Sequence, residues 1–339
     1  MQTNVNAGQT LVVDLHGLAL AFHTREASLR ERFSAVYGHL SEAVSSQAGL
    51  QITWQLHDQS FAPKPPSTAL PLVEGELVSY YKIAETVLIR MPKYGLIEID
   101  FLNDRVDGVV TQNCLEVYGA FEDVMMISLA PLYRRRGWFP LHAFAALAPG
   151  GKAALITGDM GSGKTTTGLA LLSAGWKLLS NDSPLLRRRG NSVEVLAYPG
   201  RLSAFDDSLA RFEPLQRFIP PGPAGQVVRS DTQPARDRQK RIFRAEEAFA
   251  NPWATAGAAG AVFFPEVAAG LIHSELVDIT PREAVLKLMP QAIEGWDKAA
   301  IGQNLQLLSR LVEQVPCYVL RLSPRVEALP ALIEAGMKR

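Results

Sequence analysis

Only two cysteines, Cys114 and Cys317, occur among 339 residues. They are too few for a disulfide framework and too far apart for metal-ligand spacing, so both are expected to be buried free thiols in a reducing compartment. A surplus of charge is missing as well. Thirty-four Lys and Arg residues balance 34 Asp and Glu, which leaves no global field to attract nucleic acid or an anionic membrane. No uncharged apolar run reaches the roughly 18 residues that suggest a membrane span. A secretion signal is also lacking: "LVVDLHGLALAF" has no basic n-region and carries Asp14 and His16, so it reads as a strand. The expectation is a cytoplasmic protein with neither a nucleic-acid nor a membrane partner.

The composition that remains, 47% hydrophobic and 20% charged, is that of a globular chain able to bury a sizeable core. The length suggests about two domains. Residues 1–115 read as a small α+β domain, open to a role in substrate recognition. In it "TLVVDLHGLALAF" and "LQITWQLHD" are strands flanking a helix-like "SLRERFSAVYGHLSEAV". A proline-rich connector at 61–71 leads to alternating antiparallel strands with Asn/Asp/Gly turns. The second domain is placed at 116–339. It opens with a helix ending in Arg134, Arg135 and Arg136, cations that suit a last turn through the helix dipole. Two strands around a Pro-Gly-Gly turn follow, then a short helix closed by Gly175, a strand "WKLLS", and a hairpin at Gly190-Asn191. A hairpin this soon after the helix implies a mixed sheet. Residues 218–241, rich in Pro, Gly and charge, read as a mobile loop, "GAVFFPEV" as a buried strand, and the chain from about Pro281 as mostly helical.

One motif carries chemistry. Gly158-x-x-x-x-Gly163-Lys164-Thr165 fits the phosphate-loop pattern at every fixed position, after an apolar strand and before a helix. Glycines let backbone amides face an anion, and the positive end of the helix adds to the attraction. Lys164 is suited to the β- and γ-phosphates of a nucleotide, and the Thr165 hydroxyl to Mg²⁺. Asp182, at the end of "WKLLSND", is the first candidate for the acid near the metal, and Glu266 the second.

"ITGDMGSGKTTTGLALLSAGWKLLSND" resembles the nucleotide loop and following strand of the HPr kinase/phosphorylase family, and "FPLHAFAAL" resembles its preceding histidine strand. The likeness extends over about 120–203 and is strongest to the divergent HPr-kinase-related proteins of peptide-modification gene clusters. It implies a mixed-sheet α/β P-loop kinase domain of the phosphoenolpyruvate carboxykinase type. It also implies ATP and Mg²⁺ as cofactors, and a serine of a protein or peptide as acceptor. By the resemblance, Gly158, Asp159, Gly161, Ser162, Gly163, Lys164, Thr165 and Thr166 form the nucleotide loop. Thr165 and Asp182 hold the metal, and His142, Lys164, Asn181 and Asp182 serve catalysis, with Arg201 a further basic residue near the site. The sequence departs from the family at 181, where the first of two usual acids is replaced by Asn181. An asparagine can hydrogen-bond but cannot accept a proton, and a general base contributes about 10²–10⁴-fold. Two other functions therefore remain open: a nucleotide-binding switch with little transfer activity, and a kinase of a small hydroxylated metabolite. The basic stretch Arg236, Arg238, Lys240, Arg241 and Arg244 fits a phosphate or acidic-peptide clamp and a solvated face equally well. Arg187, Arg188 and Arg189 are expected to face water at their hairpin. A homo-oligomer is compatible with the sequence.

Overall fold

The computed structural model describes residues 10–41, 49–220 and 240–338. Most of the segment expected to be a mobile loop, including Arg236 and Arg238, lies outside the described residues. The chain divides into a first unit, Met1–Arg136 with Glu294–Lys298, and a second unit, Gly137–Ile293 with Ala299–Arg339.

In the first unit, β1 (Thr10–Leu15), β2 (Leu18–His23), α1 (Ala27–Tyr37), β3 (Leu50–His57), β4 (Leu70–Val73), β5 (Ser79–Ile83), β6 (Thr86–Met91), β7 (Gly95–Asp100) and β8 (Arg105–Thr111) precede α2 (Asn113–Glu116) and α3 (Ala120–Arg135). The strands form one mixed sheet in the order β1-β2-β3-β8-β7-β6-β5-β4. The first strand expected from sequence is in fact a hairpin. His16 and Gly17 both adopt positive φ (57° and 86°), the backbone twist that a two-residue hairpin turn requires. Phe22, Phe33, Trp54 and Phe121 pack as stacked and edge-on rings. Phe121 is why α3 belongs with this unit, although its expected place was the second domain. The arginines that close α3 are structural: Arg134 Nε and Arg135 Nη1 reach Asp297 Oδ2 at 2.7 and 2.5 Å, and Arg136 pairs with Asp104. Asp297 is only 2% exposed, so two cations and one acid form a buried cluster, flanked by Trp296 stacked on Tyr80.

In the second unit the order is β9 (Trp138–Pro140), β10 (Ala143–Leu147), β11 (Lys152–Thr157), α4 (Lys164–Ser173), β12 (Lys177–Ser180), β13 (Leu185–Arg189), β14 (Ser192–Leu196), β15 (Leu202–Ala204), α5 (Asp206–Leu209), β16 (Arg241–Phe243), α6 (Ala245–Ala248), β17 (Ala256–Val267), β18 (Glu275–Asp278), α7 (Pro281–Ala292), α8 (Lys298–Gln314), β19 (Cys317–Leu322) and α9 (Leu329–Gly336). The sheet is mixed, as the early hairpin implies: β12-β10-β11-β17-β14-β13-β9, with β19 on β17 and β18 on β19. Side-chain alternation sends Phe144, Ala154, Ile156 and Phe263 to the face covered by α4 and α9. Ala145, Ala153, Leu155 and Phe264 go to the face covered by α7 and α8. Helices thus cover both faces of the sheet, and the strands read as continuous apolar runs. The C-terminal part is less helical than expected, because β19 runs parallel to β17 between α8 and α9. In the arginine hairpin Arg188 and Arg189 are exposed, as expected, and Arg187 is half-buried. Arg187 and Arg189 both pair with Glu194, whose side chain is buried, and Arg188 Nε bonds the Gly190 carbonyl. Cys114 and Cys317 are buried free thiols, and burial pushes both up to about 12. Among the described residues, no helix is long and apolar enough to cross a membrane.

Candidate functional site

Sheet topology decides what meets at the loop. β10 is antiparallel to both β11 and β12, so β11 and β12 run the same way. The start of β10, preceded by His142, therefore lies at the edge where β11 ends in Gly158 and β12 leads to Asp182. Hydrogen bonds close this edge, with Ala143 N donating to Asp182 O at 2.9 Å and the Thr157 hydroxyl to His142 O at 2.8 Å. β17, parallel to β11, brings Glu266 to the same edge. Ligands of α/β sheets bind at the carboxyl ends of such strands.

Between β11 and α4 the chain turns through Gly158, Gly161 and Gly163, all at positive φ (150°, 82° and 107°). At Gly163 the need is double, because a Cβ would also stand 2.3 Å from Leu322 Cδ1. The amino end of α4 follows directly, leaving the unpaired amides of a first turn beside the loop. Lys164 folds over it and donates Nζ to the carbonyls of Gly158 (2.5 Å) and Asp159 (3.0 Å). Burial holds the Lys164 ammonium below the ordinary lysine range, while the charges of Asp182 and Asp159 work against that shift. Ser162 Oγ is buried in the loop without a hydrogen-bond partner. A buried hydroxyl left unpaired beside first-turn amides and a lysine is chemistry that fits a phosphate chain.

The other expected residues divide into two groups. His142 Nδ1 is 3.4 Å from Asp182 Oδ1, and both side chains are about half exposed, 44% and 48%. Lys164 lies within the field of Asp182. Thr165 is half-buried in the first turn of α4. His142, Asp182 and Lys164 converge, and Thr165 follows Lys164 in the chain. Thr166 and Asn181 are engaged elsewhere: Thr166 Oγ1 is 3.0 Å from Ser208 Oγ on α5, and Asn181 Nδ2 donates to Arg201 O at 2.9 Å. Among the described residues no group of three or more His, Cys, Asp or Glu side chains could hold a metal.

A cavity of about 510 Å³ adjoins the loop. Its far wall comes from β17 and α7: Phe264, Pro265, Glu266, Lys287, Pro290 and Gln291. Lys287 Nζ is 3.5 Å from Glu266 Oε1, and Gln291 Nε2 donates to Asp159 Oδ1 at 3.2 Å. Sequence inspection ranked Glu266 but missed the α7 residues. They lie more than 120 positions beyond the loop, and only their helical spacing, shared with any buried face, could have pointed to them.

No family model matches the chain, and no curated protein matches it. Among solved structures, the HPr(Ser) kinase/phosphatase from Coxiella burnetii aligns over 59% of this chain and 88% of its own, at 14% identity and a TM-score of 0.30. A likeness that slight carries no argument about function, which rests instead on the geometry of the site.

Proposed function

We propose that the second unit holds Mg-ATP on the loop 158–165 and transfers the terminal phosphoryl group to a hydroxyl, a serine of a protein or peptide. The observation that carries this reading is the convergence of Lys164, His142 and Asp182 at one sheet edge, beside a glycine loop that opens a helix. Lys164 and the loop amides offset phosphate charge, the main contribution a protein makes to phosphoryl transfer. A bound Mg²⁺ ion would supply further charge neutralisation, with the Thr165 hydroxyl and the Asp182 carboxylate as the protein groups that hold it. Asn181 cannot take a proton, and its amide is committed to the Arg201 carbonyl. The acceptor's proton therefore falls to His142 or Asp182, whose side chains stand 3.4 Å apart. The serine class follows from the resemblance of 120–203 to serine kinases.

The test is label transfer from γ-labelled ATP to proteins or peptides encoded beside the gene. Label on serine, lost in Lys164→Ala and Asp182→Ala, supports the proposal. Tight Mg-ATP binding with no transfer to any hydroxyl would leave the switch reading instead. The cavity of about 510 Å³ favours a second kinase reading, with a small hydroxylated acceptor seated against Glu266 and Lys287. ATP consumption stimulated by a metabolite, with all peptides inert, would select it.

A further inference from the structure

Three cations stand in and beside β16, and two of them are held in ion pairs. Arg241 donates Nε and Nη2 to the two oxygens of Asp206 at 2.7 and 2.9 Å. Arg244 is held by Glu247 at 3.1 Å. Lys240 forms no ion pair among the described residues; its Nζ lies 5.5 Å from the centre of the Phe205 ring. Strand pairing fixes its place. β16 is antiparallel to β15 with Ala204 opposite Arg241, which sets Lys240 beside Phe205. Phe205 leads into α5, whose Ser208 hydroxyl contacts Thr166 in the first turn of α4. The same segment is tied to the Asp182 strand end through the Asn181–Arg201 hydrogen bond.

Ser208 N donates to the Phe205 carbonyl at 3.0 Å and Ser208 Oγ stands 3.0 Å from Thr166 Oγ1, so the segments that carry Lys240 and Lys164 meet at the first turn of α4. Two ammonium groups brought to one site repel each other until an anion stands between them. A polyphosphate supplies that anion. One lysine approaches from within the loop and the other from the β15–β16 ribbon, which is packed on the first turn of α4.

We propose that Lys240 is a second phosphate-binding cation of this site, contacting the terminal phosphate of a nucleoside triphosphate and so discriminating it from the diphosphate. This rests on the nucleotide-binding reading above. In the transfer step the acceptor oxygen bonds to the γ-phosphorus as the bond from that phosphorus to the β,γ-bridging oxygen breaks. The electron pair of the broken bond stays on the departing diphosphate, and the acceptor's proton passes to the His142–Asp182 pair. Lys240 keeps its proton throughout and stabilises charge on the phosphoryl oxygens.

The experiment is calorimetric titration of the full chain with Mg-ATP and separately with Mg-ADP, for the parent protein, Lys240→Ala, Lys240→Arg and Lys164→Ala. A charge-assisted hydrogen bond corresponds to a loss of about tenfold or more in affinity. Lys240→Ala is expected to weaken Mg-ATP about tenfold and to leave Mg-ADP within about twofold, with Lys240→Arg restoring most of the difference. Unchanged Mg-ATP affinity in Lys240→Ala overturns the proposal, and so does an equal loss for both nucleotides. If Lys164→Ala abolishes binding while Lys240→Ala does nothing, only the role of Lys240 fails. If the folded parent protein binds neither nucleotide, the nucleotide reading fails and takes this proposal with it.

Discussion

The first unit and the second each bring a carboxylate to basic partners, at Asp297 and at Asp182, and they treat it differently. Asp297 is buried with Arg134 and Arg135, its oxygen 2.5–2.7 Å from two guanidinium nitrogens. Asp182 is half exposed, 3.4 Å from His142, at an edge that also holds Lys164. A fully paired buried acid has no remaining capacity for a ligand, and breaking its pairing leaves charge stranded in the interior. A loosely paired, solvated acid beside a half-buried lysine contributes little to folding and remains available. Burial and pairing together, more than residue type, separate the charges that hold the fold from those that the proposed transfer would use.

Substitutions at the two acids should separate these roles. Asp182→Ala should lower phosphoryl transfer by about 10²–10⁴-fold, the range of a lost general base, and leave the melting temperature unchanged. Label transfer and a thermal melt on the same sample check both halves. Asp297→Ala should do the reverse. It removes the shared partner of two largely buried arginines and should destabilise the first unit by about 3–5 kcal/mol, measured by urea unfolding. If the melt follows Asp182 and the transfer rate follows Asp297, the comparison fails.

Asn181 sharpens it on a finer scale. Its side chain donates to the Arg201 carbonyl, and Gly200 packs so closely that a Cβ there would stand 2.7 Å from Asn181 Oδ1. Asn181→Asp would set a carboxylate against that carbonyl, at a cost of about 1–3 kcal/mol. Turnover should fall about tenfold at neutral pH and recover in part as the pH drops and the new acid regains a proton to donate. A sharp rise in turnover would instead support the switch reading, in which Asn181 is what suppresses catalysis.

The smallest effect concerns Lys164, whose proton affinity burial has lowered. Mg-ATP affinity should fall on the alkaline side before an ordinary lysine would titrate. The unfolded chain holds this proton more tightly, so it binds more protons between the two titrations, and stability should rise with pH there. Affinity and stability thus move in opposite directions, and Lys164→Met should remove both trends.

The glycine loop, its helix and the Gly190-Asn191 hairpin were legible in the sequence because each is specified by neighbours a few residues apart. Asp182 was legible because it ends a short apolar strand. Three features were not. The His16-Gly17 turn lies in a stretch short enough and apolar enough to read as one strand despite Asp14 and His16. β19 is six residues between helices, and its parallel pairing to β17 is a contact across more than 50 positions. The division of the chain depends on Phe121 meeting Phe22 and Trp54, and on Asp297 meeting Arg134, pairings that no local period encodes. Lys240 was visible as part of a basic stretch, but only the ion pairs of Arg241 and Arg244 single it out.

The central claim is that the half-exposed charges around Lys164 serve a bound nucleotide, and equilibrium titration with ATP in the presence and absence of Mg²⁺ tests it most directly. The account predicts saturable, Mg²⁺-dependent binding by the parent protein and at least a tenfold loss in Lys164→Ala, about 1.4 kcal/mol or more, with an unchanged melt. A parent protein with a native melt and no saturable binding at millimolar Mg-ATP would contradict it.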